Sequence, residues 1–126
     1  MKISDFRSQI EPFLDSSNLA GYGYAFAKRG VMLLCEKMSA SWGERGARIV
    51  SLSPGITDTS MGRIELEKNP VMKSLLDMSP LKRMGKPEEI AGVVNFLLSE
   101  DASYITGVDI RVDGGVVSAV MRSMET

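Results

Sequence analysis

The sequence predicts an α/β fold, and this prediction depends on the order of the segments and on composition. A long helical pattern is followed by a short apolar run rich in β-branched residues, and a second helical pattern is followed by a second such run. A strand, a crossover helix and a parallel strand form the right-handed unit that is typical of this class. The 126 residues, of which 44% are hydrophobic, suffice for one small domain with a real core.

The N-terminal part is predicted to contain a short or broken helix, a loop and then a long helix. In residues 4–17 an apolar face is interrupted by Pro12, and residues 18–23 (NLAGYG) are interpreted as a loop. The apolar face consists of Phe6, Ile10, Phe13 and Leu14. From about Gly23 to Trp42 apolar residues recur at steps of three and four, which predicts one long helix that ends at the glycines that follow.

Two short strands are predicted, at residues 47–53 and 107–112. Residues 56–79 between them are polar and methionine-rich, with helical pieces that Pro70 and Pro80 break. This excursion directly follows the C-terminal end of a strand, where open α/β sheets bind ligands and where long loops are often lids. The excursion is therefore the expected location of a binding site, and we expect it to be the most mobile part of the chain.

The last predicted helix lies within residues 86–100. Pro87 suits a first helical turn, and the two glutamates that follow it suit the positive end of the helix dipole. The apolar positions expected to pack on the sheet are Ile90, Val93, Val94, Leu97 and Leu98.

Composition argues against several classes of function. The net charge is −1 and the charges are interspersed, so there is no electrostatic case for nucleic acid or for an anionic membrane. No apolar run approaches the length of a membrane span, and the N-terminus lacks the apolar core of a signal peptide. Because Cys35 is the single cysteine and the chain has no histidine, we expect no internal disulfide and no metal site. The expected location is the cytoplasm.

Tyr24 and Lys28 are candidates for proton transfer. They lie four residues apart on one face of the long helix, among small residues that leave room for a ligand. An ammonium group beside a phenol favours the phenolate, and such a tyrosine can exchange a proton with a carbonyl or alcohol oxygen. The alternative is a surface tyrosine beside a solvated lysine.

A second candidate segment is SPGITDT at residues 53–59, directly after the first strand. Pro54 and Gly55 turn the chain, and Gly55 allows the backbone to approach a ligand closely. The amides of Ile56 and Thr57 are potential donors to an amide or a phosphate, and Thr59 adds a hydroxyl. The alternative is an ordinary turn between a strand and a loop.

Together, in this order, the motifs resemble the C-terminal half of the short-chain dehydrogenases/reductases, over about residues 20–118. YAFAK is similar to the family's Tyr-x-x-x-Lys motif, and SPGITDT is similar to its Pro-Gly-x-x-x-Thr motif. Residues 80–115 resemble its closing helix and last strand. EKMSASWGERGARI and GGVVSAVMR are most similar to the branch that contains the bacterial 3α-hydroxysteroid dehydrogenase/carbonyl reductase.

The resemblance implies a fold and a role for individual residues. The fold is a Rossmann-like doubly wound parallel sheet, to which residues 1–126 contribute one partial domain. Tyr24 is implied to be the catalytic acid/base, and Lys28 is implied to assist it and to hold the nicotinamide ribose. The implied cofactor-binding residues are Lys28, Pro54, Gly55, Ile56, Thr57 and Thr59.

Residues 56–80 are implied to form a substrate lid. Methionine adapts its shape to bulky apolar ligands, and it also fills protein cores, so both roles stay open for the methionines in and beside the lid. These are Met61, Met72, Met78 and Met84.

The implied activity is that of an NAD(P)-dependent oxidoreductase that interconverts a carbonyl and a secondary alcohol, with NAD or NADP as cofactor. A steroid or another bulky apolar small molecule is one candidate substrate, and the sequence specifies no more than a carbonyl or a secondary alcohol. The sequence has no counterpart of the family's Gly-rich nucleotide motif, because GYGYAF carries Phe26 in place of the third glycine. The position of the family's catalytic serine is Glu11 here. We therefore expect the chain to represent the C-terminal half of such an enzyme, with residues 1–20 as an irregular or helical insertion.

Two alternatives stay open beside this interpretation. One is a catalytically inactive oligomerisation or binding module derived from the same family, and the other is an unrelated small α/β domain. The first strand is expected to have an exposed apolar edge, and the long helix an uncovered apolar face. These features predict a homo-oligomer rather than a stable monomer, with weak or no cofactor binding by the isolated chain.

Overall fold

The computed structural model describes residues 19–125. In this range the chain forms five α-helices, one short 3-10 helix and two strands. They are α1 (Leu19–Gly43), β1 (Val50–Pro54), α2 (Ser60–Lys68), α3 (Pro70–Met78), α4 (Pro87–Leu98), the 3-10 helix (Glu100–Ala102), β2 (Val108–Val112) and α5 (Val116–Met124). The expectations for residues 4–17, and nearly all of the insertion expected at 1–20, lie outside the described residues.

The two strands pair in parallel, which confirms the α/β prediction. Their register runs from Val50 beside Val108 to Pro54 beside Val112. β1 begins at Val50 and not at residue 47. The chain just before it is bound differently, since the amide of Ile49 donates to the hydroxyl of Thr106 at 3.1 Å. The parallel strand pair and its crossover place the C-terminal ends of both strands at the same edge, next to the candidate turn.

The two faces of the sheet differ in polarity. On one face the apolar side chains of Val50 and Leu52 line a groove together with Leu97 of α4. On the other face the carboxylate of Asp109 accepts hydrogen bonds from Ser51 and Ser53, at 2.6 and 3.0 Å. The polar face is therefore satisfied within the sheet itself.

Helix α1 begins earlier than the sequence predicted. The loop expected at residues 18–23 is wrong for the described part of that segment, because the helix starts at Leu19. Each glycine costs a helix about 1 kcal/mol relative to alanine. Extending a long helix needs no new nucleus, however, so Gly21 and Gly23 are tolerated. At the other end Gly46 takes a positive φ of 71° in the turn, as expected of a helix-ending glycine.

The two lid helices end where the prolines predicted. Pro70 occupies the first turn of α3, and the side chain of Asn69 caps this helix by accepting from the amide of Val71 at 3.0 Å. α3 ends at Met78, before Pro80. Helix α5 was not predicted. Its apolar residues directly follow the Gly114–Gly115 turn, at which the sequence pattern predicts only the end of the second strand.

The described part of the chain has a small core. Its buried hydrophobic residues are Cys35, Leu97 and Ala102. Leu98 was expected to pack on the sheet; it borders the groove that Val50 and Leu52 of β1 line, but its side chain is 79% exposed. None of the described helices is long and apolar enough to cross a membrane.

Candidate active site

A cleft of about 420 Å³ lies between α1, the turn after β1 and the lid helices α2 and α3. It brings together most of the candidate residues from both motifs. Its walls are formed by Tyr24, Pro54, Gly55, Ile56, Thr57, Thr59, Met61, Gly62, Glu65, Met72, Leu75 and Val116. Lys28 lies outside the cleft wall.

Tyr24 and Lys28 are neighbours on α1. The Lys28 ammonium lies over the ring of Tyr24, with Nζ 5.5 Å from the ring centroid. This is cation–π distance, and it follows from their spacing of one helical turn. Tyr24 is 67% exposed, so its hydroxyl is open to a ligand in the cleft.

The turn after β1 requires glycine for a reason that the sequence did not show. The amide of Gly55 donates to Val112 at 3.0 Å, which draws the turn against the end of β2. A Cβ on Gly55 would lie 2.6 Å from the Cα of Asp113. Glycine is therefore needed at this position for close contact with Asp113, and the approach of a ligand to Gly55 stays a prediction.

Asp113 also fixes the helix that follows. Its two carboxylate oxygens accept from the amides of Gly115 and Val117, at 2.9 and 3.0 Å. These amides belong to the first turn of α5, whose Val116 reaches the cleft. One residue therefore packs on the turn and orients the helix behind it.

The hydrogen bonds of the turn leave two donors over. The amides of Ile56 and Thr57 form no hydrogen bond within residues 19–125, while their neighbours on both sides do. The hydroxyl of Thr57 donates to the carbonyl of Gly55 at 3.0 Å. The hydroxyl of Thr59 caps α2 by accepting from the amide of Gly62 at 3.0 Å. Thr59 thus has a structural role in addition to its place on the cleft wall.

The methionines of the lid divide into two groups. Met61 and Met72 line the cleft, whereas Met78 and Met84 do not. Met61 is 78% exposed and is available for contact with a ligand. A cleft wall of methionine and leucine suits an apolar ligand.

Four residues of the cleft wall were missed by sequence reasoning. Gly62, Glu65 and Leu75 come from the lid helices, and Val116 comes from α5. Leu75 is an apolar residue of a helical segment, but its helical periodicity does not show that it lines the cleft. The position of Glu65 depends on how α2 and α3 pack on each other, which no local pattern records.

Comparisons with known proteins decide the family. A family model described as enoyl-(acyl carrier protein) reductase matches residues 16–117. A short-chain dehydrogenase/reductase of Alternaria brassicicola is 41% identical over 101 residues, which cover 79% of this chain and 37% of that protein. The chain belongs to the short-chain dehydrogenase/reductase family. The 3-alpha-hydroxysteroid dehydrogenase/carbonyl reductase of Comamonas testosteroni is similar as well, at 37% identity over 100 residues.

Solved structures of this family have the same fold. A structure from Agrobacterium tumefaciens that contains bound NADP matches 75% of this chain and 39% of its own, with a TM-score of 0.69 and 32% identity. A 4-hydroxyisoleucine dehydrogenase mutant in complex with NADH and succinate matches with a TM-score of 0.68 and 26% identity, over 75% of this chain and 39% of its own. The Rossmann-type fold is thereby confirmed. The chain spans little more than a third of the length of the curated relatives above, 37% and 38%.

The short-chain dehydrogenases/reductases are NAD(P)-dependent oxidoreductases, and the two solved structures above contain NADP and NADH. The residues of the cleft can therefore be tested for their fit to a nicotinamide. A carboxamide offers a carbonyl acceptor and an amide donor. Ile56 and Thr57 line the cleft, and their amides, which have no partner within residues 19–125, are donors of the kind that the acceptor needs. The residues present therefore fit the nicotinamide end of the cofactor.

Proposed function

We propose that these residues form the catalytic and substrate-binding part of an NAD(P)-dependent oxidoreductase that interconverts a carbonyl compound and a secondary alcohol. One observation carries the proposal. A single cleft is lined by Tyr24, by the two turn residues whose amides have no partner within residues 19–125, and by apolar residues of the lid. The proposed proton donor, cofactor anchor and apolar substrate wall thus border the same cleft.

The chemistry divides between the cofactor and this chain. When bound, the nicotinamide supplies a hydride to the carbonyl carbon or accepts one from the alcohol. In reduction Tyr24 donates its phenolic proton to the carbonyl oxygen, and in oxidation the phenolate takes the proton from the alcohol. The ammonium of Lys28 stabilises the phenolate that each reduction leaves behind, because it is an opposite charge beside the ring.

The remaining candidates bind and orient. The amides of Ile56 and Thr57 would donate to the carboxamide oxygen, and Pro54 and Gly55 would form part of the wall beside the nicotinamide. Thr59 supports the wall as the cap of α2. Lys28 would also hold the nicotinamide ribose. Met61 and Met72 contact the substrate, for which we propose a bulky apolar carbonyl compound such as a steroid.

We also propose that the protein acts as a homo-oligomer. The face of α1 includes Leu34, Met38 and Trp42, which are 54%, 36% and 39% exposed. Such an apolar surface is larger than a monomer usually tolerates. Light scattering tests this, and a compact monomer in solution would contradict it. The inactive-module alternative has no support from the comparisons over the enzyme.

The proposed activity is tested by measuring turnover in the Tyr24→Phe variant of the protein as the cell makes it. Tyr22→Phe is the matched control. Both changes remove one hydroxyl from α1, and Tyr22 does not line the cleft. Tyr24→Phe should lower turnover of a ketone with NAD(P)H by at least the roughly 10²–10⁴-fold that is typical of acid–base catalysis. Tyr22→Phe should leave turnover unchanged. Near-normal turnover of Tyr24→Phe would show that another group moves the proton.

Lys28 is tested in the same assay against a second lysine of α1. Lys28→Met should lower turnover, because the phenolate loses the opposite charge beside its ring. Lys37→Met removes an exposed ammonium farther along the helix and should leave turnover unchanged.

A further inference from the structure

We propose that Arg83 and Glu89 are positioning residues, which hold the backbone of residues 56–58 in its cofactor-binding conformation through the two peptide groups that flank Gly85. This inference rests on the proposed function of the turn. It is carried by hydrogen bonds in the loop before α4, outside the cleft itself.

The first of the two peptide groups joins Met84 to Gly85. Its carbonyl accepts from the Arg83 guanidinium at 3.1 Å. Its N–H, on Gly85, donates to the carbonyl of Ile56 at 2.9 Å. One peptide plane thus connects the guanidinium with the start of the turn.

The second peptide group joins Gly85 to Lys86 and is bound in the opposite sense. Its carbonyl accepts from the amide of Asp58 at 2.8 Å. Its N–H, on Lys86, donates to the carboxylate of Glu89 at 2.7 Å. Each plane is therefore bound by the ion pair on one side and by the turn on the other.

The ion pair closes this arrangement. Arg83 donates to both carboxylate oxygens of Glu89, at 2.7 and 2.8 Å, in a two-pronged geometry that fixes direction as well as distance. The pKa of the Glu89 carboxyl is held well below its usual range, at about 2. The hydrogen bond from Arg83 is the largest cause, and the hydrogen bond from the amide of Lys86 is the next. Glu89 is therefore charged at neutral pH.

The arrangement explains which backbone groups of the turn have no partner. Ile56 uses its carbonyl and Asp58 uses its amide to bind Gly85, which forms a parallel bridge with Thr57. Within the described range 19–125, the amides of Ile56 and Thr57 are left without a hydrogen bond. Both partners of the ion pair are about half exposed, and such pairs contribute little to global stability. Their effect is instead expected locally, through hydrogen bonds that polarise and orient one another.

Amide hydrogen exchange in the 126-residue chain tests the coupling without any cofactor. The variants are Arg83→Met, Glu89→Gln and their combination, with Arg45→Met as a matched control at an exposed arginine. Each single variant should raise the exchange rates of the Gly85 and Asp58 amides about tenfold or more relative to the central strand amides. The double variant should add little beyond either single change, because the two side chains act as one unit.

Three results would overturn the coupling. They are unchanged exchange at Gly85 and Asp58, an equal rise at all amides of the chain, and the same local rise in Arg45→Met. Glu89→Gln keeps the size of the side chain, so it carries the test if Arg83→Met does not fold. Arg83→Lys keeps the charge but loses the two-pronged geometry, and it should give an intermediate rise.

A kinetic measurement on the protein as the cell makes it tests the link to the cofactor. Glu89→Gln should raise the KM for NAD(P) about tenfold with a smaller change in kcat, since a displaced turn weakens binding more than chemistry. An unchanged KM together with faster exchange would refute a role in cofactor binding. Failure of the proposed function would show differently, as normal turnover of Tyr24→Phe.

Discussion

The turn at residues 54–58 and the lid helices at residues 60–78 border the same cleft, but they are held in different ways. The turn is joined to β2 and to Gly85 by three backbone hydrogen bonds of 2.8–3.0 Å. In the lid helices no residue is fully buried, and Met61 and Val71 are 78% and 64% exposed. Backbone bonds fix the first region, whereas caps and partly exposed side chains hold the second.

The difference corresponds to what each region is proposed to bind. A carboxamide is recognised by donors at fixed positions, and backbone amides provide these because they move little once their own peptide planes are bound. A bulky apolar substrate is recognised by area, which flexible side chains such as methionine can supply in many shapes. The cofactor end of the cleft is therefore specified by geometry, and the substrate end by composition.

The largest expected contrast between the two regions is in hydrogen exchange. Amides in the middle of α2 and α3 should exchange at least about a hundredfold faster than those of Gly55, Asp58 and Gly85, because few buried contacts oppose local opening of the lid. Two-dimensional NMR of the protein in deuterated buffer measures both sets together. Exchange that begins in α1, with the lid protected, would contradict the comparison.

The turn can be broken directly by adding one methyl group. Gly55→Ala would place a Cβ 2.6 Å from the Cα of Asp113. This is a backbone atom, which cannot move aside as easily as the end of a flexible side chain. We expect a loss of about 2 kcal/mol in the free energy of unfolding, as is typical of overpacking. Gly92→Ala in α4 is the control, since nothing lies within 4 Å of its Cβ and alanine favours a helix. Denaturant unfolding compares them, and equal stability of the two variants would disprove the close packing.

The elements that depend on local chemistry were predicted from the sequence. Helix α4 and the break at Pro70 follow from a periodicity and from a breaker residue within the segment itself, and the parallel strand pair follows from the order of strand, helix and strand. The start of α1 was misplaced because the glycines at its start weaken a helix locally without ending it. α5 was missed because its first turn depends on Asp113.

The candidate site was predicted in outline only. Tyr24 and the residues of the turn were named from their motifs, and the structure places them on one cleft wall. Glu65 and Val116 join that wall through packing between elements distant in sequence. Gly85 and Glu89 could not be connected to the turn in advance, since the bridge from Gly85 to Thr57 spans residues far apart in the chain. The catalytic role of Tyr24 and the cofactor-binding role of the turn stay predictions.

The substrate end of the cleft should respond more weakly than the turn to a single change. Met61→Ala removes an apolar side chain from the cleft wall and should raise the KM for a bulky apolar ketone about tenfold, with kcat little changed. Met78→Ala is the matched control, because Met78 ends α3 outside the cleft. Steady-state kinetics on the two variants gives the comparison. An equal effect of both would mean that the lid acts through stability and not through contact.

The last prediction concerns the ionisation of Glu89, which has the smallest effect near neutral pH because the carboxyl stays charged there. It tests whether the ion pair holds the turn. The pKa of Glu89 is lowered in the folded state from about 4.5 to about 2. The contribution of the charged carboxylate to the ordering of residues 56–58 is therefore fully present above about pH 4.5 and is lost as pH falls through 2. Carboxyl NMR titration should show Glu89 ionised down to about pH 2, and Arg83→Met should move its pKa upward, since Arg83 is the main cause of the shift. If Glu89 titrated near pH 4.5 in the unmodified protein, the ion pair would not persist in solution, and the turn would depend on Gly85 alone.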